Sequence, residues 1–367
     1  MSTNQVTIPG SMNAWRLNGL GGTLSFEKTT TPAVRSRSAL VRIEAAPLLS
    51  YLKDYVAGKL TFYHPPEGKF TPGTNAVGVI EAVGPDVWHL KPGQRVLFSP
   101  HLVANENVAD PAQILIGWTA FGAGATGVQA DWRDGSLAEY ALAPVETLTP
   151  VDGLESIGSV QLAMLNRFIV PYGGMLRGRL AAGETLVVNG ASGAYGAASV
   201  LLGIAMGAGR VIAAGRNKAA LDAVVQAGGS RVTAVQLTGD VATDAQAIRT
   251  AAAGPVDMAF DMVGQASDTS STLASLQSLK RGGRLVLMGS MTVPLTFSYS
   301  DIMRNNREII GQFMYPADAY SRLVGLLRAG LLNINAIRPV VVDLGALPAA
   351  MEAATTVGSL ECVVVRP

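Results

Sequence analysis

One stretch decides the fold of this chain, residues 185–218, TLVVNGASGAYGAASVLLGIAMGAGRVIAAGRNK. An apolar β-type run, Thr185–Asn189, leads into a turn with glycines at positions 190, 193 and 196, and an apolar helical run and a second β-type run, Arg210–Ala214, follow. This order of strand, glycine turn, helix and strand is typical of a dinucleotide site. The glycine spacing is GxxGxxG rather than GxGxxG, so the order of the elements carries the prediction. An ordinary βαβ turn without a ligand is the alternative.

Each glycine of the turn has a predicted role. Gly190 allows the tight turn, Gly193 lets the backbone approach a pyrophosphate, and Gly196 lets the helix pack closely on the sheet. The helix N-terminus adds free N–H groups and a partial positive charge. The predicted cofactor contacts in this turn are Gly190, Ser192, Gly193, Ala194, Tyr195 and Gly196.

The end of the second predicted strand favours NADP(H) over NAD(H). An NAD site usually places an acidic residue there, but this chain has no acidic residue between Glu184 and Asp222. A guanidinium can bind a 2′-phosphate with two charge-assisted hydrogen bonds, which a carboxylate would repel. The predicted contacts are Gly215, Arg216, Asn217 and Lys218. A solvated helix start is the alternative interpretation of the two basic residues.

Composition favours a globular enzyme of two domains. The 367 residues are 49% hydrophobic and 15% charged, with a formal net charge of +1, which gives no reason to expect nucleic acid or membrane as a partner. The polar start, MSTNQVTIPGSMNAW, lacks the apolar core of a signal peptide, and Cys362 is the single cysteine. We therefore expect a cytoplasmic protein without disulfides.

The pattern of elements predicts an α/β fold with two parts. Up to about residue 155, short apolar runs broken by Gly and Pro indicate a mainly antiparallel β domain. From about residue 160, strands and helices alternate and predict a doubly wound, Rossmann-type parallel sheet of six strands. We expect one domain at 1–155 and 315–367, and the Rossmann-type domain at 156–314.

Short signatures recur in a fixed order through most of the chain. They are Val41–Ala46, Gly58, Pro72-Gly73, Val77–Ile80, Val83-Gly84, Lys91–Val96, Gly135–Tyr140, the glycine turn, Val256-Asp257, Asp261, Gly264, Gly282–Arg284 and Gly289. In these residues the chain resembles the medium-chain dehydrogenase/reductase superfamily and, within it, the zinc-free, quinone-oxidoreductase-like branch. The resemblance implies that the β domain is GroES-like and that hydride is transferred in a cleft. The predicted cofactor contacts further include Gly289 and Phe313.

The chain departs from the zinc-dependent members of that superfamily at each metal position. Leu49 stands where they place a cysteine, Thr74-Asn75 where they place His-Glu, and the third position falls near Leu165–Asn166. Leucine cannot bind zinc, and Thr and Asn are poor substitutes for imidazole and thiolate. The four-cysteine zinc lobe is missing, and we expect a loop at 100–134. His64, His89 and His101 show no close-spaced ligand pattern. No metal site is predicted.

Without a metal, a side chain must stabilise the negative charge that develops on the acceptor. Tyr51, Tyr55 and Tyr63 are the candidate catalytic residues. In a short helix Tyr51 and Tyr55 would share one face. Enoyl reductases of this superfamily carry a catalytic tyrosine at the position of Leu60, so Tyr63 matches only approximately. For each tyrosine, a packing role is the alternative.

Three functions remain open at this stage. The first is an NADPH-dependent, zinc-independent reductase of quinones or α,β-unsaturated carbonyls. The second is a carbonyl reductase or alcohol dehydrogenase that uses a tyrosine in place of zinc, and the third is a catalytically silent NADPH-binding, crystallin-like protein. The resemblance also implies a homodimer joined through an edge strand of the Rossmann sheet near Thr292–Ser298.

Overall fold

The computed structural model describes residues 8–122 and 124–367, and these form two compact units. The first unit contains the chain up to Met164 together with Pro339–Val357 and Cys362–Pro367. The second unit contains Leu165–Arg338 and Gly358–Glu361.

The first unit is built mainly from short antiparallel strands. Its strands before residue 164 are β1 (Ser11–Asn18), β2 (Leu24–Thr30), β3 (Ser38–Pro47), β4 (Lys69–Phe70), β5 (Ala76–Val83), β6 (Arg95–Phe98), β7 (His101–Val103), β8 (Gln113–Leu115), β9 (Thr119–Phe121), β10 (Tyr140–Pro144) and β11 (Leu148–Pro150). Its helices are α1 (Leu52–Val56), α2 (Ala125–Asp131) and α3 (Ser159–Leu162).

The second unit alternates helices with strands, as the sequence predicts. Its helices are α4 (Asn166–Arg177), α5 (Ala194–Ala205), α6 (Lys218–Gly228), α7 (Val241–Ala252), α8 (Ser270–Ser278), α9 (Tyr299–Asn305) and α10 (Ala319–Arg328). Its strands are β12 (Thr185–Asn189), β13 (Arg210–Gly215), β14 (Val232–Gln236), β15 (Met258–Asp261), β16 (Arg284–Leu287) and β17 (Glu308–Gly311).

These six strands form one parallel sheet in the order β14-β13-β12-β15-β16-β17. This is the strand order of the Rossmann fold, and the direction of winding reverses between β12 and β15. The central strands are apolar because helices cover both faces of a parallel sheet. Val187, Ile212, Ala259 and Leu285, from four neighbouring strands, lie in one buried cluster. The predicted doubly wound sheet is confirmed.

The end of the chain completes the first unit. It contributes β18 (Arg338–Asp343), α11 (Leu347–Thr356) and β19 (Glu361–Arg366). Strand β19 pairs with β3 in a seven-stranded sheet of order β11-β6-β5-β3-β19-β18, in which β10 also pairs with β3. Two three-stranded sheets, β2-β1-β4 and β7-β8-β9, accompany it. The first unit therefore combines both ends of the chain, mostly in antiparallel pairing.

The limits of the units differ from the expected 155 and 315. The first unit continues to Met164, and residues 315–338 belong to the second unit. Helix α10 packs on α4, and its apolar residues Leu323 and Val324 are buried. This amphipathic packing holds the segment with the parallel sheet until β18 begins.

Two local predictions were wrong. Residues 100–134 are not a plain loop, because the described part of this segment forms the β7-β8-β9 sheet and α2. The segment Thr292–Ser298, described throughout, contains no strand; the edge strand on this side of the sheet is β17. Pro294 has no N–H for a strand ladder, which disfavours a strand there. Across the described residues, no helix is long and apolar enough to cross a membrane.

Candidate functional site

The glycine turn between β12 and α5 requires glycine at two positions, one because of its backbone conformation and one because a side chain has no space. Gly190 has φ +82°, in the left-handed region that side chains disfavour. A Cβ on Gly196 would overlap the carbonyl oxygen of Gly190. The first turn of α5 thus packs directly on the chain leaving β12, as predicted from the sequence.

Gly193 differs, because the fold itself does not require a glycine there. Its φ of −94° and ψ of 167° are extended, and an added Cβ would make only an ordinary contact of 3.4 Å with the Gly190 oxygen. Gly193 is also the N-cap of α5, and among the described residues no side chain caps this helix. The backbone is therefore open to a ligand, and the helix end offers N–H donors and a positive dipole. This arrangement fits a pyrophosphate.

The glycine turn lies against the end of β13. The Ala191 amide donates to the Ala214 carbonyl at 2.9 Å, and a Cβ on Gly215 would lie 2.9 Å from the Ser192 hydroxyl oxygen. The structure therefore brings together the two predicted parts of the cofactor site, the glycine turn and the Gly215-Arg216 corner. Ala194 and Tyr195 open helix α5.

The three polar residues after Gly215 have different environments. The Asn217 side chain caps α6 by accepting from the Ala220 amide at 3.1 Å, and Lys218 forms an i,i+4 ion pair with Asp222 at 2.7 Å. Arg216 is exposed, and its carbonyl accepts from the Gln236 side chain at 3.2 Å. The side chains of Asn217 and Lys218 therefore interact with residues of α6. The Arg216 guanidinium is the cation best placed for a ligand.

The structure adds Asp268 to this corner. Hydrogen bonds from Ser270 hold the pKa of the Asp268 carboxyl below its usual value, and the charge of Arg216 lowers it further. Asp268 precedes α8 and is 52 residues from Arg216 in the sequence, so no local pattern could have predicted this proximity.

Gly289 and Phe313 follow the strands β16 and β17. A Cβ on Gly289 would overlap the carbonyl oxygen of Val263, so the loop after β15 lies directly on the end of β16. Phe313 is about half exposed, at 48%. Like Gly190 and Gly215, both residues lie at the carboxyl ends of the parallel strands, where ligands bind in open α/β sheets.

A buried polar network, which the sequence analysis missed, lies under this edge of the sheet. The Asp261 carboxylate accepts from the Asn189 amide at 2.9 Å, from the Thr272 hydroxyl at 2.5 Å and from the Val263 amide at 2.9 Å. Burial raises the pKa of Asp261, although these hydrogen bonds lower it. The network joins the ends of β12 and β15 where the winding of the sheet reverses.

A second polar pair that was missed lies at the start of α4. Asn166 and Arg167 are 3% and 2% exposed, and the Arg167 guanidinium carbon lies 5.7 Å from the centroid of the Tyr195 ring. The sequence shows two adjacent polar residues among apolar ones at the start of this helix. It does not show that their side chains are buried.

The three candidate tyrosines gather around Trp118 in the first unit. Tyr55 is fully buried, stacks on the Trp118 ring at 3.6 Å and donates its hydroxyl to the Trp118 carbonyl at 2.5 Å. Burial raises the pKa of Tyr55 far above its usual value. This geometry favours the packing role for Tyr55 over catalysis.

Tyr51 and Tyr63 are only half-buried. Their rings meet the Trp118 ring edge-on, at 5.9 and 5.5 Å between centroids. Burial raises the pKa of Tyr63, while hydrogen bonds with the Trp118 and Tyr51 side chains lower it. Tyr63 therefore stays protonated at neutral pH and can serve as a hydrogen-bond donor. Tyr51 directly precedes α1, so the predicted shared helix face is only approximate.

The positions that zinc-dependent relatives use for metal hold poor ligands. Leu49, Thr74 and Asn75 are buried in the first unit, and His101 contacts Gln113 at 3.1 Å. Within residues 8–122 and 124–367, no group of three His, Cys, Asp or Glu side chains is placed to bind a metal ion.

Comparisons with known proteins agree with this geometry. The alcohol dehydrogenase GroES-like domain family matches residues 35–153, and the zinc-binding dehydrogenase family matches residues 194–329. This chain belongs to the medium-chain dehydrogenase/reductase superfamily. It is similar to the quinone oxidoreductase of Mus musculus, at 25% identity over 84% of this chain and 82% of that protein. The resemblance to the quinone-oxidoreductase-like branch is thus confirmed.

Solved structures with the same fold hold either dinucleotide. A Sinorhizobium meliloti 1021 protein described as a putative zinc-binding dehydrogenase bound to NADP has a TM-score of 0.74 and 20% identity, over 98% of this chain and all of that chain. An E. coli CFT073 alcohol dehydrogenase complexed with NADH has a TM-score of 0.78 and 17% identity, over 98% and 100%. This protein is an oxidoreductase that uses a nicotinamide cofactor and a small-molecule substrate.

Proposed function

We propose that this oxidoreductase is specific for NADPH and transfers hydride, without zinc, to a quinone or an α,β-unsaturated carbonyl. The observation that carries the cofactor choice is the exposed Arg216, which directly follows the last residue of β13. The neighbouring side chains of Asn217 and Lys218 already interact with residues of α6. A 2′-phosphate would be the natural partner of this cation.

NADPH, when bound, supplies the hydride. The residues of the second unit bind and orient it: the first turn of α5 receives the pyrophosphate, and Arg216 receives the 2′-phosphate. Gly193, which has no side chain, would let the pyrophosphate approach the protein backbone closely. These are interactions of binding and orientation, and none needs a metal.

Tyr63, hydrogen-bonded with Tyr51, is the proposed donor to the acceptor oxygen. Burial raises its pKa, so the hydroxyl stays protonated at neutral pH and keeps a hydrogen to donate. Such a donor is sufficient for a quinone or enone, in which the developing charge is delocalised. A saturated ketone places the whole charge on one oxygen and needs a stronger acid or a metal.

The cofactor choice is tested by kinetics with NADPH and NADH. The variant R216A should raise the KM for NADPH about 10- to 100-fold, because it removes a charge-assisted interaction, and leave that for NADH nearly unchanged. R177A is the matched control, because Arg177 is an exposed arginine of α4 outside the predicted cofactor contacts. A wild-type kcat/KM that is higher with NADH would contradict the choice of NADPH.

Substrate class and metal dependence are tested separately. The enzyme should reduce quinones and enones and leave saturated ketones unreduced, and dialysis against a chelator should leave kcat unchanged. Reduction of ketones but not of enones would instead favour the carbonyl reductase function, in which Tyr63 supplies a full proton. Loss of activity on chelation with recovery on adding zinc would refute zinc independence.

A further inference from the structure

Asn166, the first residue of α4, has a side-chain amide whose donor and acceptor both lack hydrogen-bond partners among the described residues. The residue is 3% exposed, and neither Nδ2 nor Oδ1 has a hydrogen-bond partner among the described residues. Leaving a buried donor and a buried acceptor unpaired destabilises a protein, so native structures rarely do so without a reason.

Arg167, the next residue, has a buried charge without a counter-ion. It is 2% exposed, its Nε has no hydrogen-bond partner, and none of the ion pairs of the described residues includes it. Its guanidinium lies 5.7 Å from the ring centroid of Tyr195, a contact that does not neutralise the charge. Arginines are almost never fully buried unless they are paired, which points to an anionic partner from outside the chain.

Arg167, which follows Asn166 at the start of α4, lies near the glycine turn. Helices α4 and α5 pack against each other, and Tyr195 is the second residue of α5, directly after the N-terminal Gly193 and Ala194. The unpaired cation thus approaches the helix end that is open to a pyrophosphate.

The two missing partners have defined chemistries. Arg167 needs an oxyanion. Asn166 needs a group that both donates and accepts a hydrogen bond, as a primary carboxamide does. A nicotinamide dinucleotide carries both, a phosphate and a carboxamide, on its nicotinamide mononucleotide half.

We propose that Asn166 and Arg167 bind the nicotinamide half of the dinucleotide: Arg167 binds the nicotinamide-side phosphate, and the Asn166 amide pairs with the nicotinamide carboxamide. The inference rests on the proposed function only in that a nicotinamide dinucleotide is bound. Both residues are positioning residues, since they fix the nicotinamide ring and take no part in hydride transfer.

The test measures the dissociation constants of three ligands by calorimetry. NADPH carries both groups, 2′-phospho-ADP-ribose keeps the pyrophosphate but lacks nicotinamide, and 2′,5′-ADP lacks the nicotinamide-side phosphate as well. R167M should weaken the binding of NADPH and of 2′-phospho-ADP-ribose about 10- to 100-fold and leave the binding of 2′,5′-ADP unchanged. N166L should weaken the binding of NADPH alone. R167K should restore part of the affinity, and R177M is the control, an exposed arginine of the same helix.

Stability supplies a second readout that a purely structural role would not produce. Removing an unpaired buried charge should leave the melting temperature of the ligand-free protein unchanged or raised in R167M, while affinity falls.

Three outcomes would overturn the inference. Unchanged affinity for NADPH in R167M and N166L would do so while the proposed function stands. So would a raised KM for the acceptor with unchanged cofactor affinity, which would assign the oxyanion to the substrate. A wild-type protein that binds neither NADPH nor NADH would refute the proposed function and the inference together.

Discussion

Tyr55 donates its hydroxyl hydrogen to the backbone carbonyl of Trp118, and the two rings stack 3.6 Å apart between centroids. Tyr63 meets the same indole edge-on and is only half-buried. The structure thus separates two tyrosines that the sequence presents as equivalent candidates.

The variants Y55F and Y63F test this separation. Y55F loses a buried hydrogen bond and should lower the free energy of unfolding by about 1 kcal/mol, with kcat nearly unchanged. Y63F loses the proposed donor and should lower kcat with little effect on stability. Urea unfolding and steady-state kinetics on both variants measure the two effects. A large loss of kcat in Y55F alone would reverse the assignment.

The fold was predictable because its signals are local and repeated. The apolar runs of β12 and β13 and the three glycines between them determine the βαβ unit, and the same alternation continues to β17. The end of the second unit at Arg338, where we expected 315, depends on the packing of α10 against α4, two helices far apart in the sequence, so no local pattern marks it.

The candidate site was predictable only in part, for the same reason. Spacing predicts the conformational roles of Gly190 and Gly196 and places Arg216 at the end of β13. Asp268 comes close to Arg216 only after the sheet has formed. The burial of Asn166 and Arg167 is likewise a tertiary property, which residue type alone would have argued against.

Two glycines of the turn should respond differently to alanine. G196A places a methyl group on the Gly190 carbonyl oxygen, which cannot move freely, and should destabilise the protein by about 1–3 kcal/mol. G193A makes only an ordinary contact in an extended backbone and should keep native stability, but its methyl group would hinder the pyrophosphate. We expect the dissociation constant for NADPH to be at least roughly tenfold larger in G193A. Unfolding curves and calorimetry distinguish these effects; full affinity in G193A would place the phosphates elsewhere.

The buried Asp261 carboxyl predicts a pH dependence of stability. Burial raises its pKa in the folded protein above the ordinary 3.8, so ionisation favours the unfolded chain. Its contribution to stability is complete below about pH 3.8 and is lost as the pH rises through the folded-state pKa. The difference in unfolding free energy between wild type and D261N should therefore fall as the pH rises above 4.

The exposed Asp268 supplies a control of opposite sign. Its pKa is lowered by hydrogen bonds from Ser270 and by the charge of Arg216, so its contribution is present above the ordinary pKa and is lost as the pH falls. The difference between wild type and D268N should rise with pH only up to about 3.8, the ordinary pKa, and stay constant above it. A flat or rising difference for D261N would show that Asp261 is ionised without penalty.

An apolar surface on α9 and the segment before it predicts where a homodimer would form. Tyr299 and Met303, four residues apart on one helix face, are 81% and 56% exposed, and Phe297 is 46% exposed. Exposed apolar clusters of this kind mark protein interfaces. We expect light scattering to give twice the mass of the chain for the wild type and a monomer for the double variant Y299E/M303E. W88E, which changes an isolated exposed residue of the first unit, should remain a dimer. A wild-type monomer would exclude the dimer, and a dimeric Y299E/M303E variant would place the interface on another surface.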